Sequence, residues 1–283
     1  MKTKILKISI VGKTNAGKST LINSLVGELV SITNKKINTT EDLIIGLINI
    51  KNVQLVFYDT PGLSNLKKID SNKRKLKLNL WNGLNESDLI LYLIDIGKYN
   101  LLQIIDNINK LKEIKKNIVI IFNKNDLIKK DEILIKIKEL NNKIKVEDFF
   151  SISAKKKLGL ENIKKYLIKK SYFSNWLFNA NEITNKDDKF ITNEITRNEI
   201  LNLLHQEIPY NIKIINLIFK FLKNGDLKIK QEIQIKNKRY KKIILGRNGE
   251  KIKNIRTRSQ KRISQILKIK VHLYISLVII NAN

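Results

Sequence analysis

The stretch that decides the fold is Gly12-Lys13-Thr14-Asn15-Ala16-Gly17-Lys18-Ser19. It has the spacing G-x-x-x-x-G-K-[ST] and lies between a short apolar run, Ile8–Val11, and an amphipathic stretch, Lys18–Glu28. A loop between a strand and a helix can turn its backbone N–H groups toward one point, where they bind phosphate oxygens, and glycine permits the close approach. The stretch therefore predicts a phosphate-binding loop at the start of an α/β fold.

Two side chains of this loop have predicted roles in binding a nucleotide. Lys18 is placed to reach the β- and γ-phosphates, and the Ser19 hydroxyl is placed to coordinate Mg²⁺. The alternative is a chance glycine turn before a helix. The position between a strand and a helix favours the phosphate loop, because this is the context that the motif requires.

A second candidate segment, Asp59-Thr60-Pro61-Gly62, follows the apolar run Val53–Tyr58. Alone, an aspartate before Pro-Gly is typical of an ordinary turn. At the end of a strand that faces the phosphate loop, Asp59 becomes a second anchor for Mg²⁺, through water. The backbone N–H of Gly62 can then contact the γ-phosphate.

Two further segments predict which base the nucleotide carries. Asn123-Lys124-Asn125-Asp126 fits N-K-x-D, and a carboxylate at its end can accept hydrogen bonds from N1–H and the exocyclic amine of guanine, whereas adenine has no matching donors. The alternative is a solvated turn at a strand end. Ser153-Ala154-Lys155 follows the next strand and places a backbone N–H against the guanine O6. Together the segments predict GTP rather than ATP.

The first part of the chain alternates apolar runs with longer amphipathic stretches. Predicted strands are Ile8–Val11, Leu43–Ile50, Val53–Tyr58, Leu89–Asp95, Asn117–Phe122 and Glu147–Ser151, and predicted helices are Lys18–Glu28, Asn79–Ser87, Leu101–Ile114, Glu132–Asn141 and Leu160–Lys169. Such alternation predicts a mostly parallel sheet covered on both faces. The runs 43–50 and 53–58 are separated only by Lys51 and Asn52, which predicts one antiparallel hairpin.

The alternation ends after Lys170. Predicted elements beyond it are a helix at Thr192–Leu204, strands at Ile212–Phe221 and Leu227–Ile235, a helical region around Gly246-Arg247-Asn248-Gly249 and a last strand at Ile269–Ile280. This order predicts a small α+β domain. We therefore divide the chain into a nucleotide-binding domain at 1–170, a linker at 171–190 and a second domain at 191–283.

The charge of the chain points to an anionic partner. The formal net charge is +29, of which residues 1–180 carry +16, from 33 basic and 17 acidic residues. Between Lys220 and Lys270 there are 18 basic and 3 acidic residues in 51 positions, so the positive charge is concentrated in the second domain. This distribution favours binding to a polyanion such as nucleic acid or acidic lipid. A general lysine-rich composition is the alternative explanation of the excess.

Composition also limits the classes of protein that need to be considered. The sequence has no cysteine, which excludes disulfides, thiolate metal sites and cysteine nucleophiles. No apolar stretch approaches the roughly 18 residues of a membrane-spanning helix. We expect a cytoplasmic protein, either soluble or bound peripherally at the inner face of the cell membrane.

The four segments 12–19, 59–62, 123–126 and 153–155, together with Asn38-Thr39-Thr40 as a fifth, resemble the signature motifs of the translation-factor-like GTPases. Within that class the chain is similar to the Era family. The resemblance rests on Asn15, on the double threonine at 39 and 40, and on Asp-Thr-Pro-Gly followed by Leu63. It implies that Thr40 is the switch threonine that meets Mg²⁺ and the γ-phosphate, with Thr39 as the alternative.

Two residues near the switch segments bear on the rate of hydrolysis. Glu41 stands where the family usually has arginine. Leu63 is apolar where many small GTPases carry a glutamine that orients the attacking water, which predicts slow intrinsic hydrolysis. The resemblance implies that Asn15 helps to hold a K⁺ ion that supplies charge in place of an arginine finger.

The stretch Ile243–Ile252 resembles the core of a KH RNA-binding domain. Its two glycines allow a tight loop between two helices to lie against the nucleotide backbone, although a plain helix-to-helix turn is the alternative reading of a lone Gly-x-x-Gly. The element order and the basic surroundings favour a KH domain of type II. The predicted RNA contacts are Gly246, Arg247, Asn248, Gly249, Lys251 and Lys253, with Arg256 also facing the phosphates.

Two histidines lie in further family-like segments, 203–210 and 271–273. Neither His205 nor His272 has an acidic partner at a recognisable spacing. We expect both to be structural rather than catalytic.

The resemblance implies an α/β P-loop GTPase domain, with a mostly parallel sheet and one antiparallel strand, followed by an α+β KH type II domain. It implies a Mg²⁺-dependent GTPase that binds GTP and GDP, responds to K⁺, binds small-subunit (16S) rRNA through its KH domain and assists assembly of the 30S ribosomal subunit. We expect a monomer that does not bind DNA. Two alternatives stay open: a GTPase whose basic half binds anionic membrane or protein, and a nucleotide-binding scaffold with negligible turnover.

The predicted site residues fall into three groups. Those predicted to act in catalysis are Lys18, Thr40 and Gly62, and those predicted to bind Mg²⁺ are Ser19, Thr40 and Asp59. The predicted nucleotide contacts are Gly12, Asn15, Ala16, Gly17, Lys18, Ser19, Thr20, Asp59, Asn123, Lys124, Asp126, Ser153, Ala154 and Lys155.

Overall fold

The computed structural model describes residues 2–27, 44–60, 81–180, 182, 184–185, 187–203, 212–235 and 237–280. The chain forms two compact units, Met1–Asn185 and Lys186–Asn283. Several residues singled out above lie outside the described residues: Thr39, Thr40, Glu41, Gly62, Leu63 and His205. No helix in the described part of the chain is both long and apolar enough to cross a membrane.

The first unit is built on one sheet. Its strands are β1 (Lys4–Gly12), β2 (Ile44–Ile50), β3 (Val53–Asp59), β4 (Leu89–Asp95), β5 (Asn117–Asn123), β6 (Asp148–Ser151) and β7 (Tyr172–Phe173). Its helices are α1 (Lys18–Val26), α2, of which 81–86 are described, α3 (Leu101–Lys112), α4 (Lys130–Asn141) and α5 (Leu160–Lys170). The strand order is β2-β3-β1-β4-β5-β6, and β7 pairs with the start of β1.

The pairing confirms the predicted fold class. β1, β3, β4, β5 and β6 run parallel, and β2 is antiparallel to β3. β7 adds a second, two-residue antiparallel strand, which the sequence does not predict because two exposed residues carry no periodic pattern. β1 begins at Lys4 rather than Ile8, since Lys4 already pairs with Val53 of β3.

Helices cover both faces of this sheet. α1 and α5 pack on one face in a cluster that includes Leu21, Ile163 and Ile8. α2, α3 and α4 pack on the other face in a cluster that includes Ile108 and Tyr92. Because successive side chains of a strand point to opposite faces, burial on both faces explains why the strands are almost continuously apolar.

The segment after α5 belongs to the first unit, although it lies inside the predicted linker at 171–190. Tyr172 and Phe173 pair with β1, and the Trp176 indole N–H donates to the carbonyl oxygens of Lys4 at 3.1 Å and Asn52 at 3.3 Å. The division between the two units falls after Asn185. The stretch reads as a linker in sequence because its contacts are made by backbone groups and by single side chains.

One buried glutamine holds the same segment to β3. The Gln54 side chain is fully buried, and its Oε1 accepts the backbone N–H groups of Leu177 at 3.0 Å and Phe178 at 3.1 Å. Its Nε2 donates to the carbonyl oxygen of Phe178 at 2.9 Å and to Asn49 Oδ1 at 3.0 Å. A single side chain therefore satisfies three backbone polar groups of the incoming segment.

We expect Gln54→Met to lower the free energy of unfolding by about 3 kcal/mol, because it removes hydrogen bonds to three partly buried backbone groups. Urea unfolding measures the loss, and limited proteolysis should show faster cleavage within 171–185. Gln265→Met makes the same chemical change at an exposed position and serves as the control. Equal stability of the two variants would contradict a role of Gln54 in holding the segment 171–185 to β3.

The second unit consists of α6 (Asp188–Leu203), β8 (Lys213–Phe221), β9 (Leu227–Ile235), α7 (Lys238–Leu245), α8 (Glu250–Leu267) and β10 (Val271–Ile279). Its sheet has the order β10-β9-β8, with β8 antiparallel and β10 parallel to β9. Ile200 of α6, Ile244 of α7 and Ile255 of α8 pack with Ile233 and Ile235 of β9 in one cluster. This is the predicted α+β domain with the element order of a type II KH domain.

His272 has an acidic partner in the structure that its spacing along the sequence does not indicate. Its Nε2 lies 2.7 Å from Asp226 Oδ2, and this hydrogen bond is the main cause that lowers the pKa of Asp226. The pair forms because the parallel register places Val271 opposite Leu227, which brings residues 46 positions apart together. Spacing along the sequence cannot indicate such a contact. The hydrogen bond to Asp226 is consistent with a structural role for His272, which lies on the edge strand β10.

Candidate functional sites

The predicted nucleotide-binding segments meet because parallel strands end at one edge of the sheet. In the register of the strands, Ile10 lies opposite Asp59, and Asp95 lies opposite Asn123. The segments that follow β1, β3, β5 and β6 therefore leave the sheet side by side. This edge is the usual place for a ligand in an open α/β sheet.

Close packing explains the two glycines of the phosphate loop. A Cβ at Gly12 would overlap the backbone carbonyl oxygen of Leu93, and a Cβ at Gly17 would overlap the side-chain amide of Asn123. Gly17 also has φ 101°, which side-chain-bearing residues rarely adopt. The loop can therefore follow this path only with glycine at both positions. Asn15, which tolerates the left-handed conformation, is exposed at its tip with φ 66°.

Lys18 is held inside the loop. Its ammonium group donates to the carbonyl oxygens of Gly12 at 3.2 Å and Lys13 at 3.1 Å, and the residue is only 9% exposed. Burial lowers the pKa of Lys18, and the negative charge of Asp59 partly opposes that shift. A phosphate beside this buried cation would supply the opposite charge that favours the protonated form.

Ser19 and Asp59 form the part of the predicted metal site that the structure describes. The Ser19 hydroxyl donates to Asp59 Oδ2 at 2.7 Å, and Asp59 is fully buried. A hydroxyl and a carboxylate oxygen are the kind of ligand that Mg²⁺ prefers, so the two residues fit this ion. Thr60, which the sequence does not single out, donates from Oγ1 to the carbonyl oxygen of Ile10 at 2.6 Å and fixes the end of β3 beside the loop.

Asn123 joins two of the loops. Its Nδ2 donates to the carbonyl oxygen of Ala16 at 2.8 Å, and its Oδ1 accepts the backbone N–H of Ala154 at 2.9 Å. The side chain is 2% exposed and so lies beneath the site. It positions the phosphate loop relative to the segment 153–155.

The N–H groups of that segment are mostly engaged. Ser153 N–H donates to the carbonyl oxygen of Leu158 at 3.1 Å, and Ala154 N–H donates to Asn123. The Lys155 N–H makes no hydrogen bond within the described part of the chain. It is therefore the group in this segment that is available to the guanine O6.

Lys124 and Asp126 occupy different surroundings. The Lys124 Nζ donates to the carbonyl oxygen of Asn15 at 2.9 Å and lies 2.5 Å from Asp95 Oδ2. Asp126 is exposed on the short 3₁₀ turn Asn125–Leu127. Lys124 thus supports the phosphate loop, whereas the Asp126 carboxylate is accessible to a ligand.

Asp95 is a site residue that the sequence reasoning missed. Its side chain is only 11% exposed, and its Oδ1 accepts the Gly97 N–H at 3.2 Å while Oδ2 holds Lys124. Its position at the end of β4, next to β5, is the signal that could have found it.

Thr20, by contrast, is a predicted nucleotide contact. It is half-buried on α1, and no contact distinguishes it in the described residues.

The Gly-x-x-Gly segment forms a tight loop between α7 and α8. Gly246 has φ 71° and ψ −178°, and Arg247–Gly249 make a single 3₁₀ turn. Arg247, Asn248, Lys251 and Lys253 are exposed around this loop. Arg256 is half-buried, and its guanidinium donates to Gln260 Oε1 at 3.2 Å. Three exposed cationic side chains therefore surround the backbone of the loop.

We expect the nucleotide-free protein to gain stability from Lys18 deprotonation as the pH rises. The pKa of Lys18 is lower in the folded than in the unfolded state, so the unfolded chain binds more protons in the alkaline range below the unfolded pKa of 10.5. Lys18→Met should therefore be more stable than the wild type near neutral pH, and this advantage should shrink toward about pH 9.5. Urea unfolding at both pH values measures it.

Lys143→Met removes a positive charge at an exposed position and is the matched control. The effects of titrating groups that do not interact with Lys18 cancel in the difference between each variant and the wild type. If the stability advantage of Lys18→Met stayed constant or grew with pH, this would contradict a lowered pKa of Lys18 in the folded state.

Comparisons with known proteins found matches to both parts of the chain. A family model described as "50S ribosome-binding GTPase" matches residues 7–124, and a KH-domain model matches residues 207–281. GTPase Era of Agrobacterium fabrum is 35% identical over 269 residues, which are 95% of this chain and 84% of the relative. GTPase Era of Rickettsia prowazekii is 35% identical over 279 residues, which are 96% of this chain and 91% of the relative.

Two solved structures match almost the whole chain. Era in complex with MgGDPNP and nucleotides 1506–1542 of 16S ribosomal RNA is 30% identical, with a TM-score of 0.88, over 99% of this chain and 94% of that one. A variant of Aquifex aeolicus Era bound to GDP·AlF4⁻ is 29% identical, with a TM-score of 0.86, over 99% and 95%. The similarity thus includes both units.

Proposed function

Since this chain belongs to the Era family of GTPases, we propose that it is a GTP-hydrolysing switch whose KH domain binds 16S rRNA and which assists maturation of the 30S ribosomal subunit. The observation that carries the proposal is the presence of two sites of different chemistry in one chain. One is a phosphate loop with a buried lysine, and the other is an exposed basic Gly-x-x-Gly loop.

The nucleotide site acts by positioning and charge. Lys18 binds the β- and γ-phosphates together with the N–H groups of the loop and of the start of α1. Ser19 and Asp59 hold Mg²⁺, with Thr40 as a further ligand and the Gly62 N–H on the γ-phosphate. When bound, Mg²⁺ neutralises charge that develops on the phosphate oxygens.

The base is selected at the ends of β5 and β6. The Asp126 carboxylate accepts N1–H and the exocyclic amine of guanine, and the Lys155 N–H meets O6. Asn123 and Lys124 fix these loops through Ala16, Ala154 and Asn15 rather than by reading the base. Adenine leaves the carboxylate unpaired, which costs on the order of several kcal/mol.

Hydrolysis depends on K⁺ in this proposal. Leu63 cannot orient the attacking water, so catalysis has to rest on positive charge near the phosphates. K⁺ would supply this charge in place of an arginine finger. The exposed Asn15 at the tip of the loop supplies an oxygen ligand for K⁺. We expect faster phosphate release in K⁺ than in Na⁺ at equal ionic strength.

Asn15→Gly tests this role, because glycine keeps the left-handed backbone and removes the side chain. The variant should still bind GDP and should hydrolyse GTP at equal rates in the two salts. Wild-type hydrolysis that does not respond to K⁺ would remove this part of the proposal and leave the GTPase itself intact.

The small subunit is favoured over the large one as the target. The description of the family model mentions the 50S subunit, but that model matches only the first unit. The KH domain is the RNA-binding half, and one of the solved relatives that match both units carries nucleotides 1506–1542 of 16S rRNA. The RNA backbone then lies on the Gly246–Gly249 loop, with Arg247, Lys251 and Lys253 at the phosphates.

Crosslinking of the full-length protein to total RNA, with sequencing of the bound fragments, tests the proposed target. We expect the 3′ region of 16S rRNA to be enriched in the wild type and lost in Arg247→Asp/Asn248→Asp, since carboxylates repel the phosphates. Asn142→Asp/Lys143→Asp makes the same change of charge on exposed residues of the first unit and should keep the enrichment.

We further propose that the protein acts as a monomer in the cytoplasm. Its role on ribosomal subunits supports this location. Sedimentation with phosphatidylglycerol vesicles tests the rival, a peripheral membrane protein. Vesicle binding that the Arg247→Asp/Asn248→Asp variant loses, together with an absence of RNA crosslinks in the wild type, would favour the membrane.

A further inference from the structure

The KH sheet has a second face that the helices do not cover. Side chains at odd-numbered positions of β9, such as Ile233, are buried against α6, α7 and α8. Alternate residues of a strand point to opposite sides, so Lys228 and Lys230 lie on the outer face. This face is opposite the one that packs against α7 and α8, the helices that carry the Gly-x-x-Gly loop.

The strand register groups basic and aromatic residues on the outer face. One cross-strand row is Lys220, Lys228 and His272, and the adjacent row is Ile218, Lys230 and Tyr274. Tyr274 is 53% exposed, and the Lys228 Nζ lies 5.7 Å from the centroid of its ring. We call these six residues the outer patch.

The charges of the outer patch are not balanced within the described part of the chain, where Lys220, Lys228 and Lys230 make no ion pair. The nearby acidic groups are Asp226 and Glu232. Asp226 is engaged by His272 at 2.7 Å and by Lys270 at 3.7 Å. Glu232 Oε1 accepts from Gln234 Nε2 at 2.9 Å.

This arrangement is unfavourable for folding. Lys220 and Lys228 are direct cross-strand partners, and like charges at such positions repel each other. Tyr274 is 53% exposed beside them, so much of its apolar surface stays in contact with water. Both features become favourable when a polyanion with flat bases lies on the sheet, because lysines bind phosphates and aromatic rings stack on bases.

We propose that the outer patch is a second RNA-binding surface, which holds a single-stranded segment with its phosphates on Lys220, Lys228 and Lys230 and one base stacked on Tyr274. Single-stranded RNA fits better than a duplex, since only unpaired bases expose a face for stacking. The location of this surface follows from its own residues. The identity of its occupant rests on the proposed function.

Fluorescence anisotropy with the full-length protein tests the proposal. The probes are RNA of nucleotides 1506–1542 of 16S rRNA and an oligouridylate of equal length. We expect Lys220→Gln/Lys228→Gln/Lys230→Gln to weaken binding about tenfold and to lower the slope of log Kd against log salt by about 2, as expected for three lost phosphate contacts to a single strand. Lys130→Gln/Lys143→Gln/Lys145→Gln removes the same charge from exposed positions of the first unit and should change Kd less than about twofold.

Tyr274→Leu separates stacking from charge. It should weaken binding about fivefold or more with an unchanged salt slope, because the lost interaction is not ionic. Thermal unfolding checks the fold of the variants. The triple lysine variant should have a Tm equal to or above that of the wild type, since it loses the repulsion between Lys220 and Lys228.

The outcomes separate this inference from the proposed function. If the wild type bound neither RNA, the proposed function and this inference would both fail. If Arg247→Asp/Asn248→Asp weakened binding and the triple lysine variant matched its control, the outer patch alone would be refuted. If the triple lysine variant lost binding to phosphatidylglycerol vesicles but kept the RNA affinity of the wild type, the inference would also be overturned, and the patch would be assigned to a membrane.

Discussion

The nucleotide site depends on one buried amide, the side chain of Asn123. It donates to the carbonyl oxygen of Ala16 and accepts the N–H of Ala154, so a single group at the end of β5 sets the distance between two loops that are far apart in sequence. Gly17 must be glycine because this amide occupies the space that a Cβ would take. The path of the phosphate loop and the position of the segment 153–155 are thus fixed together.

The same edge of the sheet concentrates opposite charges out of water. Lys18 and Asp59 are both buried, and each partly offsets the cost of burying the other. Lys124 and Asp95 repeat the pattern at the surface of the loop. A buried cation whose pKa is lowered by desolvation gains most from a ligand that brings negative charge. The charges at this edge of the sheet therefore favour the binding of a phosphate.

The KH domain places its charge differently, on loops and on the open side of a sheet. Its positive side chains remain solvated, so they cost little in stability and act at a distance that depends on salt. This difference suits the two ligands. A nucleotide is enclosed and read atom by atom, whereas a strand of RNA is met over an extended surface where each phosphate contact contributes a similar amount.

The sequence alone determined the fold class, the order of the elements and the residues of the phosphate loop, because apolar periodicity and glycine spacing are local properties. It also indicated Asp59, Asp126 and the Gly-x-x-Gly loop by their positions after predicted elements. Tertiary structure decided what depends on strand register: the pairing of Asp95 with Lys124, of His272 with Asp226, and the rows of the outer patch. It also decided that 171–185 belongs to the first unit, since Gln54 binds that segment through backbone groups common to every residue. Register brings together residues that are distant in sequence, and no pattern along the chain records those contacts.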